Sequence, residues 1–401
     1  MSAWRSALVV AAVGAAIAGC RETLTTPGSC PALCPRTNVE LVDTLLPTAD
    51  ASDTSVRGFV LVREASYLLT STLDTLQSVA LMRFSKRDTV WYPTSKDTAY
   101  IGTQDSVTLT VQLLQRDTTV KQLRLVVYRI PGQFDTAATY AGIQPFLADS
   151  DVVDTIAIDD TARTGDHAYR IATGFTIPPA DSGQVSLALV LLAAGKTVLT
   201  VGSGNLGTAS PLLTYYVHGK APFDTVSHVI TVAPYISMFV MNPQPSQPAP
   251  GVLAIGGIPT ARAIMRLALP KVVVDSNAVI RATLLFTTVG AAAGFAGDSF
   301  YVIAQPVVRD FGVKSVLWPD SAVSGKALVH QGQTGAVEMD MAPILRFWGT
   351  TTGDSTPRLV VLRVYPEGSI LGAVSLSGRS AGPAGPQLRV TYVKPYTFGV
   401  P

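Results

Sequence analysis

The chain is dominated by short runs of Val, Leu, Ile, Thr and Tyr, each closed within a few residues by Gly, Pro, Asp or Ser. Val107-Thr108-Leu109-Thr110-Val111-Gln112-Leu113 alternates apolar with polar, and so do Val185-Ser186-Leu187-Ala188-Leu189 and Leu388-Arg389-Val390-Thr391-Tyr392. A period of two sends alternate side chains to opposite faces, the pattern of a strand with one face buried. Helical periodicity is nearly absent beyond the first twenty residues. The expectation is an all-β fold of sandwiches whose short strands are punctuated by turns. A length of 401 residues suits two such domains of roughly 170–200 residues. Each is large enough to bury a core without help from metals or disulfides.

The runs also repeat in order. Ser78-Val79-Ala80-Leu81-Met82-Arg83-Phe84 matches Thr260-Ala261-Arg262-Ala263-Ile264-Met265-Arg266-Leu267 around a shared Ala-apolar-Met-Arg-apolar core. Alternating strands follow, over 107–114 in one half and 278–286 in the other. Asp181-Ser182 leads through 185–192 to Gly195, as Asp354-Ser355 leads through 359–365 to Gly368. Both halves close on a Pro-led strand, 211–217 and 386–393. The expected organisation is a β-sandwich over 52–218 and a second over 222–394, joined near His218–Phe223. The Pro-rich segment Asn242–Pro250 reads as an extended loop inside the second sandwich.

The second half resembles the DNRLRE, or disaggregatase-related, domains, which are extracellular jelly-roll modules similar to carbohydrate-binding sandwiches. The resemblance rests on Gly251-Val252-Leu253-Ala254-Ile255-Gly256, on Arg262 to Pro270, and on Ile280-Arg281-Ala282-Thr283-Leu284-Leu285. It continues in Met339 to Gly349, like the family's short Asp-capped helix ending in Trp-x-Gly, and in Ser377-Gly378-Arg379-Ser380 before Pro386–Val393. It covers about residues 225–394 and more loosely 50–218, where Arg170 to Phe175 stands in place of the helix–Trp segment. It implies a jelly-roll fold and carries no catalytic residue across. Asp340 would cap the helix, Pro343 would sit early in it, and Trp348 would plug the core or offer a sugar-stacking ring. Arg83 and Arg266, flanked by apolar residues on strands, are read as facing solvent or pairing with a carboxylate beneath a loop, with ligand binding as the alternative.

The first nineteen residues read as a targeting segment. Arg5 supplies a positive start, and Ser6 to Gly19 is uncharged, short of the about 20 residues that span a bilayer. Ile17-Ala18-Gly19-Cys20 resembles a bacterial lipobox, implying cleavage before Cys20 and acylation of its thiol. Several acyl chains anchor stably where one is marginal. Arg21 after the cysteine, by resemblance to Gram-negative sorting rules, implies the outer membrane. Residues 20–51, rich in Thr, Pro, Ser and Asp, read as a flexible tether with a reach of about 30 Å. Cys30 and Cys34 flank three residues, which suits a small disulfide loop in an oxidising compartment, with a redox pair as the alternative.

Catalytic motifs are sparse. No Gly-x-Ser-x-Gly elbow occurs, and the four histidines are not paired at metal-ligand spacing. Gly195-Lys196-Thr197 resembles the end of a phosphate loop, but Val190 stands where its first glycine belongs and a strand-like run follows. Ala194-Gly195 then reads as a hairpin turn. A net charge of +2 without a basic run argues against a nucleic-acid partner. Asp149, Asp151 and Asp154, with Asp159, Asp160 and Asp166 beyond them, form one acidic cluster. These carboxylates are read either as a calcium site or as polar turns like the Asp-Thr pairs recurring at 53, 88, 117 and 135. The expected function is a non-catalytic, lipid-anchored envelope module. Its expected partners are the membrane and either polysaccharide or an envelope protein assembly, and a polysaccharide-active enzyme is the remaining alternative.

Overall fold

The computed structural model describes residues 41–47, 53–58, 60–92, 96–131, 134–162, 167–173, 184–223, 225–243, 246–274, 279–309, 318–350 and 357–393. Residues 42–393 gather into one compact unit. Within it the strands form two antiparallel sheets, each curled into a β-sandwich, so the chain is all-β with two sandwich domains.

In chain order, β1 (Leu41–Pro47) and β2 (Asp53–Arg57) form a leading arm. The first body follows with β3 (Tyr67–Leu73), β4 (Leu76–Ser85), β5 (Thr89–Tyr92), β6 (Asp97–Arg116), β7 (Arg124–Arg129), the one-turn helix α1 (Tyr140–Ile143), β8 (Val152–Ala157), β9 (His167–Thr173), β10 (Gln184–Leu192), β11 (Val198–Gly202) and β12 (Leu212–Gly219). A second arm holds β13 (Ser227–Val232) and β14 (Pro234–Asn242). The second body opens with β15 (Val252–Gly256), β16 (Ala261–Arg266), α2 (Lys271–Val274), β17 (Val279–Thr287), β18 (Ala293–Gly294) and β19 (Ser299–Arg309). It closes with β20 (Trp318–Pro319), β21 (Gly325–His330), β22 (Ala336–Asp340), α3 (Ala342–Thr350), β23 (Leu359–Tyr365), β24 (Gly372–Ser377) and β25 (Gln387–Val393).

The two sheets share one pairing map. The first runs β13-β12-β6-β11-β3-β4-β10-β7-β8, with β14 beside β4, and β5 and β9 beside β6. The second runs β1-β25-β17-β22-β21-β19-β23-β16-β15-β24-β18, with β2 beside β16 and β20 beside β19. The strands matched by sequence repetition hold matching places: β4 with β16, β6 with β17, β10 with β23, and β12 with β25. The neighbours correspond too. Where β11 joins β6 to β3 in the first sheet, β24 pairs with β15 in the second and touches the end of β17 through a bridge between Thr288 and Leu376.

The arms are exchanged between the bodies. The leading arm runs into the first body, yet β2 pairs with β16 (Thr54 opposite Ile264) and β1 lies beside β25, both in the second. The second arm runs into the second body, yet β14 pairs with β4 (Met238 opposite Leu81) and β13 with β12, both in the first. Residues 58–66 and 243–251 make the two crossings, nine residues in each case. Ala80–Phe84 of β4 pair with both β10 and β14, so these strands lie on opposite sides of it. Without β14, that side of β4 would be an open edge, a template for unwanted pairing. The same holds for β16, flanked by β23 and β2 over Ala263–Met265.

Core packing explains where alternation fails. Ala80, Met82 and Phe84 of β4 enter the first core, while Val79 and Leu81 on its other face pack with Ile130, Phe134, Ile143, Met238 and Val240. A strand buried on both faces reads as a continuous apolar run. Arg83 ends that outer face at 6% exposure. It donates to the Phe134 carbonyl (2.6 Å) and to Gln184, with its guanidinium 5.4 Å from the centre of the Tyr235 ring. Arg266, its sequence counterpart, is exposed. On the outer face of β16, Arg262 instead grips the enclosed carboxylate of Glu367 with two donors, at 2.8 and 2.6 Å. In the second core Asp340 accepts from the Ala342 backbone N–H at 3.0 Å, opening α3, and Ile344, Leu345 and Trp348 turn inward. Trp348 is a core plug at 4% exposure, so the sugar-stacking reading of that ring does not hold.

Three expectations from sequence change. Residues 41–47, read as tether, form a strand whose Val42 and Leu46 pack on the second core. The boundaries at 52–218 and 222–394 give way: residues 53–57 belong to the second sandwich, residues 227–242 to the first, and the Pro-rich segment after Asn242 is the crossing between them. Ala194-Gly195 does not turn a hairpin, because β10 pairs with β4 and β7 while β11 pairs with β3 and β6.

These boundaries are open to a direct check. A fragment spanning 60–243 retains every strand of the first sandwich and is expected to melt cooperatively by circular dichroism. One spanning 222–394 carries β13 and β14 without their partners and leaves β16 and β25 open, and is expected to aggregate or stay unfolded. Adding 41–58 to that fragment in trans should restore a cooperative melt.

Candidate functional site

The hairpin formed by β5 and the first half of β6 carries the most exposed aromatic side chains among the described residues of the first body. Thr89 lies opposite Tyr100, Val90 opposite Ala99, Trp91 opposite Thr98, and Tyr92 opposite Asp97. Paired residues share a face and faces alternate along a strand. Val90, Tyr92 and Ala99 therefore turn inward and are buried, whereas Thr89, Trp91, Thr98 and Tyr100 share the outer face. Trp91 is 56% exposed and Tyr100 66%. Their positions are diagonal across the two strands, a spacing of about 7–8 Å.

The inner face holds this platform rigid. The Tyr92 hydroxyl donates to the Phe223 carbonyl (2.9 Å) and accepts from the Gly219 N–H (3.0 Å). Its ring stands 4.5 Å from that of Phe223 and 4.3 Å from that of His228. The clamp requires glycine where β6 and β12 draw together. A Cβ on Gly219 would run into the Tyr92 hydroxyl, and one on Gly102 would meet the Gly219 carbonyl oxygen at 2.9 Å. The Lys220 N–H also donates to the Tyr100 carbonyl at 2.7 Å, tying the end of β12 to the hairpin.

Beside Tyr100 opens a cleft of about 550 Å³, lined by Lys86, Arg87, Asp88, residues 101–104, Tyr215, Val217 and Lys220. Lys86, Arg87 and Lys220 stand there with one carboxylate, Asp88, 3.3 Å from Lys86, so the described lining is net cationic. His218 and Asp105 stand nearby, 3.0 Å apart. Neither Trp91 nor Tyr100 stood out in the sequence. The signal was present in the alternation Thr89-Val90-Trp91-Tyr92 and Thr98-Ala99-Tyr100, where only one register sets both rings outward.

The residues singled out from sequence fall elsewhere. Cys20, Cys30, Cys34 and Asp166 lie outside the described residues. Asp149 and Asp151 belong to a short 3-10 turn and Asp154 to β8. Among the described residues, no three His, Cys, Asp or Glu side chains gather to hold a metal ion, so the structure does not bring these three together. Asp154 accepts from the Thr155 N–H (2.7 Å) and Asp151 from the Ser150 hydroxyl (3.4 Å). Asp159 accepts from the Thr161 N–H and hydroxyl (2.7 and 2.8 Å), which is Asx-turn chemistry. Lys196 pairs with Asp74 at 2.8 Å, on a connection that enters a strand. No described helix is long and apolar enough to cross a membrane.

Tyr215 at the cleft floor links the site to stability. Its hydroxyl donates to the Ser85 carbonyl at 3.1 Å, and burial pushes its phenol far above the ordinary value of 10, with the Arg87 guanidinium pulling back slightly. A phenol whose folded pKa is raised contributes stability that is complete below its unfolded pKa and is lost as pH climbs through the folded one. The denaturation midpoint is therefore expected to fall above about pH 10. Tyr215→Phe should flatten that alkaline limb while costing about 1 kcal/mol at pH 7 for the lost hydrogen bond. Urea titrations across pH check both.

The chain matches no protein-family model, no curated protein and no solved structure.

Proposed function

We propose that this chain is a lipid-anchored protein of a bacterial outer membrane that holds polysaccharide without transforming it, gripping the polymer on the Trp91–Tyr100 face. The observation that carries this reading is two large aromatic rings, more than half exposed, on one face of a clamped hairpin. Flat aromatic rings offer large contact area at little conformational cost, and they suit the C–H faces of sugar rings. Thr89 and Thr98 on the same face, with Lys86, Arg87 and Lys220 in the adjoining cleft, supply partners for hydroxyls and favour polymers bearing carboxylates. The lipobox-like Ile17–Cys20 supports the anchor, and the resemblance to DNRLRE modules supports an extracellular binding role.

A second reading is a subunit of an envelope protein assembly. It draws on a row across β21, β19 and β23, where Leu328, Tyr301 and Tyr365 are direct neighbours at 43%, 50% and 54% exposure. A stable hetero-oligomer extracted in mild detergent, with no retention on any polysaccharide, would favour that reading over the first.

Affinity retention on envelope polysaccharides tests the proposal. Trp91→Ala and Tyr100→Ala are each expected to weaken retention roughly tenfold, the effect of about 1.4 kcal/mol. Their melting temperatures should stay close to that of the parent protein, because neither ring is buried. Undiminished retention in the double variant would sink the reading.

A further inference from the structure

The crossing of the two arms borders a second, unrelated cavity that is half open to solvent. It measures about 270 Å³, near the lower end of the roughly 300–1,000 Å³ typical of small-molecule sites. Its walls are largely apolar and come from both arms and both bodies: Val60 and Leu61 from the first crossing, Phe239 and Met241 from β14, and Ile258 from the second body. Arg57, the last residue of β2, supplies the one cationic wall among the described lining residues.

Arg57 is half-buried, and its Nε is enclosed without a hydrogen-bond partner. Among the described residues no carboxylate forms an ion pair with it. Burial holds its guanidinium below the ordinary arginine pKa. Its backbone is well fixed: the Arg57 N–H donates to the Gln247 side-chain carbonyl at 3.4 Å, and the Gly58 N–H to the Thr260 carbonyl at 3.1 Å. Thr260 also holds the crossing at Val60, donating its hydroxyl to that carbonyl at 2.9 Å. An enclosed guanidinium donor set in an apolar wall lacks the acceptor that such a group normally finds.

We propose that this cavity binds a compact apolar carboxylate, its ring or chain against Phe239, Met241 and Ile258 and its charge on Arg57. A single cation in an apolar chamber matches one negative charge, and the planar fork of a guanidinium matches a carboxylate. A phosphate dianion would bring two charges to a wall with one cation among its described residues. The ligand would touch β2 and β14 together, so its binding stabilises both exchanged arms by mass action.

The test uses the full chain, with cyclohexanecarboxylate as the probe and cyclohexylmethanol as its neutral analogue. Calorimetry is expected to show the carboxylate binding roughly tenfold tighter or more, with a raised melting temperature and slower amide exchange in β2 and β14. R57Q should abolish the preference for the charged probe while leaving polysaccharide retention as it was. Should R57Q fail to fold, Leu61→Trp at the exposed rim is expected to narrow the mouth and weaken the carboxylate by a similar factor. Equal affinity for the two probes, no binding of either at millimolar concentration, a preference for the charged probe that survives in R57Q, or an undiminished carboxylate affinity in Leu61→Trp would overturn the proposal.

Discussion

Along one side of β4, and likewise of β16, the strand partner arrives from the other half of the chain. Strand edges carry unpaired N–H and C=O groups, and leaving them open invites association with other chains. Each arm covers two such edges at once, β14 and β13 closing β4 and β12 while β2 and β1 close β16 and β25. The buried faces then follow. Met238 and Val240 of the arm join the outer cluster of the first body, and Phe239 and Met241 on the opposite face of β14 pack with Ala65, Leu69, Ile258 and Phe295 from both bodies. Edge closure and the seam between the sandwiches are one set of residues.

The sequence shows strands well and their partners poorly. Alternation located β6 and β25, and ordered repetition located β4, β10 and β12 with their counterparts, because those signals lie within a few consecutive residues. The arms defeated that reading for a physical reason. The Ser55 hydroxyl bonds to Ala254, 199 residues away, and nothing in Asp53-Thr54-Ser55-Val56-Arg57 specifies so remote a neighbour. Register and partner are set by burial on the assembled sheet. The same limit placed a hairpin at Ala194-Gly195, where the turn was visible but the destination of the next strand was not.

The candidate site was hidden by the opposite circumstance. Trp91 and Tyr92 are adjacent aromatics that look alike in sequence, yet one is 56% exposed and the other 6%. What separates them is the pleat of the hairpin together with the clamp from Phe223, His228 and Gly219, contributed from more than 120 residues further along the chain. The acidic loop attracted notice because its residues are close in sequence, and Asp154 and Asp159 each accept from a backbone N–H one or two residues on. Among the described residues those carboxylates are neighbours along the chain without three of them converging in space.

The exchanged arms also bear on how closure depends on abundance. A chain holding one such repeat would own an arm with no acceptor of its own, and would close its edges only by pairing with a second chain, at a rate and extent set by protein concentration. Two repeats joined end to end hold both acceptors at a fixed effective concentration, delimited by the nine-residue crossings 58–66 and 243–251. The protein thus has the strand exchange of a dimer within a single polypeptide, and a dilute copy is as completely closed as a crowded one.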